Sequence, residues 1–405
     1  GSNFLNLKFF FICYNLKMRE NLVILGSTGS IGVNTLEVIK MHQDMFNVFA
    51  ISANSSVEVL ISQCEKFNPN YVHISKEADA KKIKLAIEKL DLQTKIIFGK
   101  SELNNIVSHE RVDTVVCAIS GSAGLESSLN AVKSGKKILL ANKESLVMCG
   151  KLFIEMAEKY DSLILPVDSE HNAIHQCLSR SEDKNISKII LTASGGPFLK
   201  TSLNEFKNIT LDQALKHPTW KMGPKISIDS ATMMNKGLEI IEAMHLFSLE
   251  ENRIEVLVHP QSIVHSAVCY EDGSIITQIS QNDMKVPISY CLGWPQRIDS
   301  GIKSLNLVDL PPLEFHDLAK DRYPCFFLAK EVAKEGDSLP TVMNAANEIA
   351  VDAFINGKIG FKDIYSIIDM VVEHHEKQKI TSIEDVLCID DISRNNAIDY
   401  LKRYN

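Results

Sequence analysis

A chain of 405 residues is longer than one ordinary hydrophobic core supports, so two or three domains are expected. Its formal net charge of −8 lacks the basic balance that nonspecific nucleic-acid binding needs, so an anionic substrate must be met by local cations. A hydrophobic fraction of 45% fits a water-soluble globular protein, and the nine cysteines form no CxxC pair, which favours free thiols in a reducing cytoplasm over disulfides or zinc.

Gly1-Ser2 reads as a cloning scar, and Phe4 to Tyr14 is apolar and aromatic with a single basic residue, Lys8. That run is shorter than the roughly 20 apolar residues a membrane span takes. Met18 is expected to be the natural start, with residues 1–17 a dispensable extension. Leu22 to Leu25 reads as a strand, followed by GSTGSIG (Gly26 to Gly32) and a helical pattern from Val33 to Met41. Then come a strand (Val48 to Ser52), a helix (Val57 to Phe67), a strand (Tyr71 to Ile74), a helix (Lys81 to Leu90) and a strand (Lys95 to Phe98). Thr114 to Ile119 and Lys137 to Ala141 add two apolar, β-leaning runs with a helix between them. This alternation implies a parallel sheet with right-handed crossovers, so residues 19–167 are expected to form a Rossmann-like, doubly wound nucleotide-binding domain.

From Asp168 the pattern changes. Lys188 to Thr192, Ile254 to Leu257, Ser262 to Tyr270 and Ser274 to Ile279 are strand candidates with less regular helices between them, as in an α+β domain over 168–300. A proline-bearing segment over 301–324 reads as a linker. Cys325 to Lys334, Thr341 to Ile355, Phe361 to Lys377 and Ser393 to Lys402 read as helices of a small bundle over 325–405.

The glycines of GSTGSIG let the backbone approach a pyrophosphate at a helix N-terminus, although a glycine-rich turn without ligand has the same spacing. The second strand ends in Asn54-Ser55-Ser56, without the acid that an NAD ribose takes, so NADP is preferred. Asp168 and Glu170 end an apolar run, Ser162 to Val167, and share a face if the chain stays extended. Glu239 follows Asn235 and Lys236 in a helical stretch, Ser230 to Met244. Three carboxylates offer only oxygen, which suits Mg²⁺ or Mn²⁺ rather than zinc. Gly237 costs about 1 kcal/mol relative to alanine within a helix, which hints that something packs closely there. Ser194-Gly195-Gly196-Pro197, Ser230, Asn235 and Lys236 are donors suited to a phosphate. In KHPTWKM, an exposed Trp220 beside His217 suits a lid; a buried tryptophan anchoring a loop is the plainer alternative.

GSTGSIG, LLANKESLV (Leu139 to Val147), PVDSEHNAI (Pro166 to Ile174), ASGGPF (Ala193 to Phe198), HPTWKMG (His217 to Gly223), KISIDSATMMNKGLEIIEA (Lys225 to Ala243), HPQSIVHS (His259 to Ser266) and NAANEIAV (Asn344 to Val351) occur in one order. In that order they resemble the 1-deoxy-D-xylulose 5-phosphate reductoisomerase family over nearly the whole chain. The resemblance implies conversion of 1-deoxy-D-xylulose 5-phosphate to 2-C-methyl-D-erythritol 4-phosphate with NADPH and Mg²⁺, Mn²⁺ or Co²⁺. It implies a step of the non-mevalonate isoprenoid route, inhibition by fosmidomycin, and a homodimer whose catalytic and dimerisation domain spans 168–300. It carries Asp168, Glu170 and Glu239 over as metal ligands and Ser194, Ser230, Asn235 and Lys236 as phosphate ligands. Lys143, Ser169 and His217 would contact the substrate's polar backbone, with Lys143, His217 and the three carboxylates the catalytic set. Trp220 and Met222 would belong to the lid. Gly26, Thr28, Gly29, Ser30 and Ile31 would hold the cofactor pyrophosphate, Asn142, Glu144 and Gly223 would make further cofactor contacts, and Asn54, Ser55 and Ser56 would face the 2′-phosphate. Many relatives carry a lysine at that last turn; this chain does not. The family chemistry is a retro-aldol and aldol rearrangement followed by hydride reduction of an aldehyde. The rivals are another NADP oxidoreductase of homoserine dehydrogenase type and a non-catalytic NADPH-binding protein.

Overall fold

β1 (Glu20–Leu25) contributes Leu22, Val23, Ile24 and Leu25, none with exposed surface, as a strand covered on both faces must. The computed structural model describes residues 19–178, 185–220 and 222–404; the expectations for residues 1–17 and Met18 lie outside them. β1 is followed by α1 (Ser30–Met41), β2 (Phe46–Ala53), α2 (Val57–Phe67), β3 (Tyr71–Ile74), α3 (Glu77–Lys89), β4 (Lys95–Phe98), α4 (Lys100–Val107) and β5 (Thr114–Cys117). Next come α5 (Leu125–Lys133), β6 (Lys137–Leu140), α6 (Lys143–Lys159) and β7 (Leu163–Pro166). The seven strands are parallel in the order β4-β3-β2-β1-β5-β6-β7. The winding direction therefore reverses between β1 and β5, and that switch point opens a crevice at the carboxyl edge. Two apolar clusters cover the two faces, one built on Leu22, Ile24 and Ile51, the other on Val23, Leu25 and Phe49.

α7 (Ser169–Cys177) leads to a second sheet of β8 (Ile186–Ala193), β9 (Ile254–Val258), β10 (Val264–Tyr270) and β11 (Ile275–Ile279), in the order β11-β10-β8-β9. Between β8 and β9 lie α8 (Leu211–Ala214), α9 (Pro224–Ala231) and α10 (Met234–Phe247). α11 (Lys285–Gly293) then returns to the first sheet, where Ile288, Cys291 and Leu292 join its core. α12 (Pro324–Glu335), α13 (Leu339–Ile355), α14 (Phe361–Glu373) and α15 (Ile383–Leu401) share one apolar cluster with α10 and β8.

At three places the local structure differs from the expected one. Ser162 to Val167 was expected to carry an extended chain on through Asp168 and Glu170, but β7 stops at Pro166 and Ser169 opens α7, so extended-chain alternation does not bring the carboxylates together. Ser230 to Met244 is two helices, broken where Met233 takes a left-handed φ of 60°. The last helix begins at Ile383, ten residues before the expected Ser393, behind a capping box of Ser382 and Asp385. In the added stretch the polar Asp390 interrupts the apolar period, yet it pairs with Arg394 at 2.7 Å and is buried.

The close packing expected at Gly237 is present: an added Cβ would lie 2.3 Å from the Ala329 Cβ on α12. Gly237→Ala gains helix propensity of about 1 kcal/mol but overpacks the α10–α12 contact by about 1–3 kcal/mol, so the clash is expected to win. Denaturant unfolding should show a net loss of stability, recovered in the Gly237→Ala/Ala329→Gly double variant.

Candidate functional site

Four segments meet the carboxyl edge of the parallel sheet: the glycine loop after β1, the loop after β5, Lys143 after β6 and Asp168 after β7. Gly26 has φ +75°, and a Cβ there would sit 2.6 Å from the Ala118 carbonyl oxygen, so only glycine fits against the β5 loop. A Cβ on Gly32 would meet Ser27 Cα at 2.4 Å. Gly29 caps α1 without a side-chain hydrogen bond, leaving the first-turn amides of Ser30 and Ile31 available to an anion. Thr28 lies partly buried in the same loop. Ser52 supports it from β2, accepting the Gly26 N–H at 3.1 Å through its hydroxyl and the Ser27 N–H at 2.8 Å through its carbonyl. Asn54, Ser55 and Ser56 follow β2 and are exposed.

Asn142 Oδ1 accepts the Ser145 N–H and so caps α6, while its Nδ2 donates to the carbonyls of Ile119 (2.7 Å) and Gly121 (2.9 Å). Glu144 accepts from Lys225 at 2.6 Å, and Lys225 also pairs with Asp229 at 2.9 Å. Asn142 and Glu144 are both buried and held by these protein partners. Gly223, the N-cap of α9, is exposed.

The helix start at Ser169 places Asp168 and Glu170 opposite α10, where Asn235, Lys236 and Glu239 share a face. Oxygens of Asp168, Glu170 and Glu239 lie within 4.8 Å of one another. Two ammonium groups compensate them. Lys143 Nζ is 2.5 Å from Asp168, 3.3 Å from Glu239 and 2.8 Å from Asn235 Oδ1. Lys236 Nζ is 2.7 Å from Glu170 and also pairs with Glu239. Asn235 Nδ2 donates to Glu239 at 2.5 Å, and Ser169 Oγ to Glu170 at 2.5 Å.

Burial opposes the charge on Asp168, but the Lys143 ammonium outweighs it and holds that carboxyl well below the usual range. Burial would lower Lys143; Asp168 and Glu239 instead raise it well above the usual lysine value. Glu239 is fully buried, and burial followed by the adjacent Glu170 charge pushes it up to about 7. The site thus concentrates more acid than its two ammoniums neutralise, all of it oxygen, as a hard dication requires.

Sequence reasoning missed two members of this cluster. His171 bonds the Glu239 carbonyl through Nε2 at 2.9 Å and faces Glu242 through Nδ1 at 3.2 Å. Both are wholly buried, at 0% and 1% exposure, so they brace the carboxylate trio from behind and present no open face. Each stands three residues beyond a carboxylate already singled out, Asp168 and Glu239, and that helical spacing was a usable signal.

The Ser194 loop has consecutive left-handed glycines, Gly195 (φ +82°) and Gly196 (φ +69°), and a Cβ on Gly196 would lie 2.7 Å from the Ser230 carbonyl. His217 Nδ1 accepts the backbone N–H groups of Thr219 (3.2 Å) and Trp220 (2.9 Å), which leaves the proton on Nε2 to donate to Ser194 Oγ at 3.0 Å. Since Ser194 Oγ also accepts the Gly196 N–H, its own hydroxyl hydrogen is free for an anion. Trp220 is half-buried rather than exposed, tilted against His265 at 6.2 Å, and lines a cleft with Ser169, Asn172 and Gln278. His259 of HPQSIVHS serves the fold: it accepts the N–H groups of Ile263 and Val264 and stacks on Phe315 at 4.7 Å.

Three family models match in succession: 1-deoxy-D-xylulose 5-phosphate reductoisomerase over residues 22–150, its C-terminal domain over 164–247, and DXP reductoisomerase C-terminal domain over 279–396. The chain is 46% identical over 385 residues to a 1-deoxy-D-xylulose 5-phosphate reductoisomerase of Ruthia magnifica subsp. Calyptogena magnifica, covering 95% of this chain and 100% of that one. It is 48% identical to that of Saccharophagus degradans, covering 95% and 99%. A crystal structure of DOX-P reductoisomerase in complex with NADPH, fosmidomycin and magnesium superposes with a TM-score of 0.89 at 43% identity, covering 95% of this chain and 98% of that one. The enzyme from Zymomonas mobilis in complex with NADPH gives 0.88 at 42% identity, covering 95% and 99%.

Burial lowers His217 to about 4 from the usual 6.5. The folded state therefore binds fewer protons than the unfolded chain between those values, so this contribution to stability is intact above 6.5 and lost as the pH falls toward 4. Nitrogen NMR of the imidazole should show a neutral Nε2–H ring at pH 6; a ring half protonated there would contradict the assigned hydrogen bonds.

Proposed function

Because the chain belongs to the 1-deoxy-D-xylulose 5-phosphate reductoisomerase family, we infer that it converts 1-deoxy-D-xylulose 5-phosphate to 2-C-methyl-D-erythritol 4-phosphate with NADPH and a divalent metal ion. The observation that carries this reading is the Asp168, Glu170 and Glu239 trio, gathered at Asp168 on the same sheet edge as the glycine loop. Neither a homoserine dehydrogenase-like enzyme nor a non-catalytic NADPH-binding protein is favoured.

In this reading the three carboxylates hold Mg²⁺ or Mn²⁺, with Co²⁺ also suited to them. When bound, such an ion polarises a substrate carbonyl and acidifies a neighbouring hydroxyl. Lys143, kept protonated by Asp168 and Glu239, serves as a hydrogen-bond donor to substrate oxygen rather than as a base. Ser194, Ser230, Asn235 and Lys236 receive the phosphate, far enough from the reacting carbons to orient them by remote binding. Ser169 and His217 meet the hydroxyls between, and Trp220 with Met222 covers them and excludes water. Gly26, Thr28, Gly29, Ser30 and Ile31 hold the pyrophosphate, with Asn142, Glu144 and Gly223 along the wall and Asn54, Ser55 and Ser56 at the 2′-phosphate. The division of labour follows as a cofactor domain (19–167), a catalytic and dimerisation domain (168–300), a linker (301–324) and a helical domain (325–405).

A homodimer and a cytoplasmic location complete the reading. The edge strand β11 leaves Ile275 62% and Ile276 47% exposed, an apolar edge suited to a second copy. The eight cysteines among the described residues are all unpaired, as in a reducing compartment. Among the described residues no helix is long and apolar enough to cross a membrane.

Two experiments test this. Metal-dependent NADPH oxidation with 1-deoxy-D-xylulose 5-phosphate should be lost in Glu239→Gln by on the order of a hundredfold or more, while NADPH still binds. Near-normal turnover of that variant under limiting Mg²⁺ would remove Glu239 from the ligand set. Light scattering should report the mass of two chains for the wild type and of one for Ile276→Glu; a monomeric wild type would end the dimer reading.

A further inference from the structure

We propose that Glu348, in the NAANEIAV segment of α13, is a positioning residue for the cofactor crevice, acting through the loop that follows β5. The inference rests on the NADPH reading above and assigns the C-terminal helices a part in it. Glu348 stands 226 residues from Ser122, yet its Oε1 accepts the Ser122 backbone N–H at 2.9 Å. Asn344, one turn earlier on the same helix, donates to that oxygen at 3.1 Å. Arg394 on α15 completes the grip: its Nη2 donates to Glu348 Oε2 at 2.6 Å and to the Ser122 hydroxyl at 2.9 Å. Asp390 holds Arg394 in turn, at 2.7 Å.

The gripped loop is a cofactor wall by topology. It leaves β5 beside the switch point, and its first residue, Ala118, abuts Gly26 so closely that a Cβ would lie 2.6 Å from the Ala118 carbonyl. Gly121 has φ +74°, and a Cβ there would lie 2.9 Å from Glu348 Oε1, so glycine lets the carboxylate reach the backbone. From the opposite side Asn142 binds the carbonyls of Ile119 and Gly121. The loop is thus clamped between two polar side chains, one from its own sheet and one from the C-terminal helices. The bundle has other anchors on the first domain, such as Val386 in its core and the Thr341 hydroxyl on the Met148 carbonyl. A carboxylate and a guanidinium aimed at one loop's N–H and hydroxyl add direction rather than burial.

The neighbouring Asn347 extends the same coupling. Its Nδ2 donates at 2.9 Å to Asp229, which pairs with Lys225, the partner of Glu144. The NAANEIAV segment therefore touches the β5 loop through Glu348 and the helix behind the Trp220 loop through Asn347.

The test compares wild type, Glu348→Ala, Glu348→Gln and Arg394→Lys by NADPH fluorescence titration, KM for 1-deoxy-D-xylulose 5-phosphate and melting temperature. Glu348→Ala should weaken NADPH binding by about tenfold, the scale of one charge-assisted hydrogen bond, with KM for the sugar phosphate and melting temperature little changed. Glu348→Gln, which keeps an acceptor for Ser122, should recover most of that loss, and Arg394→Lys should show a smaller loss of the same kind. An unchanged NADPH dissociation constant in Glu348→Ala overturns the proposal. So does a parallel loss of NADPH affinity, sugar-phosphate KM and melting temperature in the alanine and glutamine variants alike, since that marks a merely structural role. If Glu348→Ala does not fold, Arg394→Lys decides: normal NADPH affinity there overturns the proposal. A wild type that binds no NADPH overturns the functional reading and this inference with it.

Discussion

Mutual repulsion among Asp168, Glu170 and Glu239 is the constraint around which the centre of the molecule is arranged. Two like charges about 4 Å apart cost about 4 kcal/mol at an effective dielectric of 20, and this site holds three acids within 4.8 Å. Lys143 and Lys236 offset the repulsion, and each does so across an element boundary. Lys143 joins the end of β6 to the end of β7 and to α10; Lys236 joins α10 to the start of α7. The carboxylate trio is therefore also the joint between the parallel sheet and the second half of the chain. The uneven response of the three acids has one physical source. Asp168 keeps its charge because an ammonium lies against it, whereas Glu239, the most deeply buried, is forced up toward neutrality.

The fold presents this centre to a cofactor by an economy of edges. Parallel strands put all their carboxyl ends on one side, so the loops after β1, β5, β6 and β7 converge there without further design. The glycine loop, the β5 loop, Lys143 and Asp168 become neighbours through strand order rather than sequence proximity. The second sheet and the terminal helices close the opposite side, bringing Ser194, His217 and Trp220 from one segment and Glu348 from another.

Much of this was legible in particular residues. The apolar runs Leu22 to Leu25 and Thr114 to Ile119 announced covered parallel strands because a strand buried on two faces has no polar alternation to confuse it. Gly237 signalled a close approach, and the structure supplies Ala329 as the approaching atom. Elsewhere local pattern misled. Asp168 and Glu170 meet because the chain turns into α7, not because it stays extended, and the residues before them carry no helix stop or start strong enough to say so. The final helix runs ten residues further toward the N-terminus than its local pattern predicts, because Asp390 looks like a surface residue until its pairing with Arg394 is seen.

The sequence by itself determined the alternating sheet, the glycine turn, the oxygen-only character of the acidic trio and the family resemblance, since each follows from periodicity, residue chemistry or ordered motifs along the chain. Tertiary structure alone decided which polar groups meet: Lys143 with Asp168, His171 with Glu242, Arg394 with Glu348 and Ser122. Those pairings join residues that strand order and helix packing bring together, in the last case across more than two hundred positions. No local propensity encodes such distances, because the interaction exists only after the apolar surfaces between its partners have been buried.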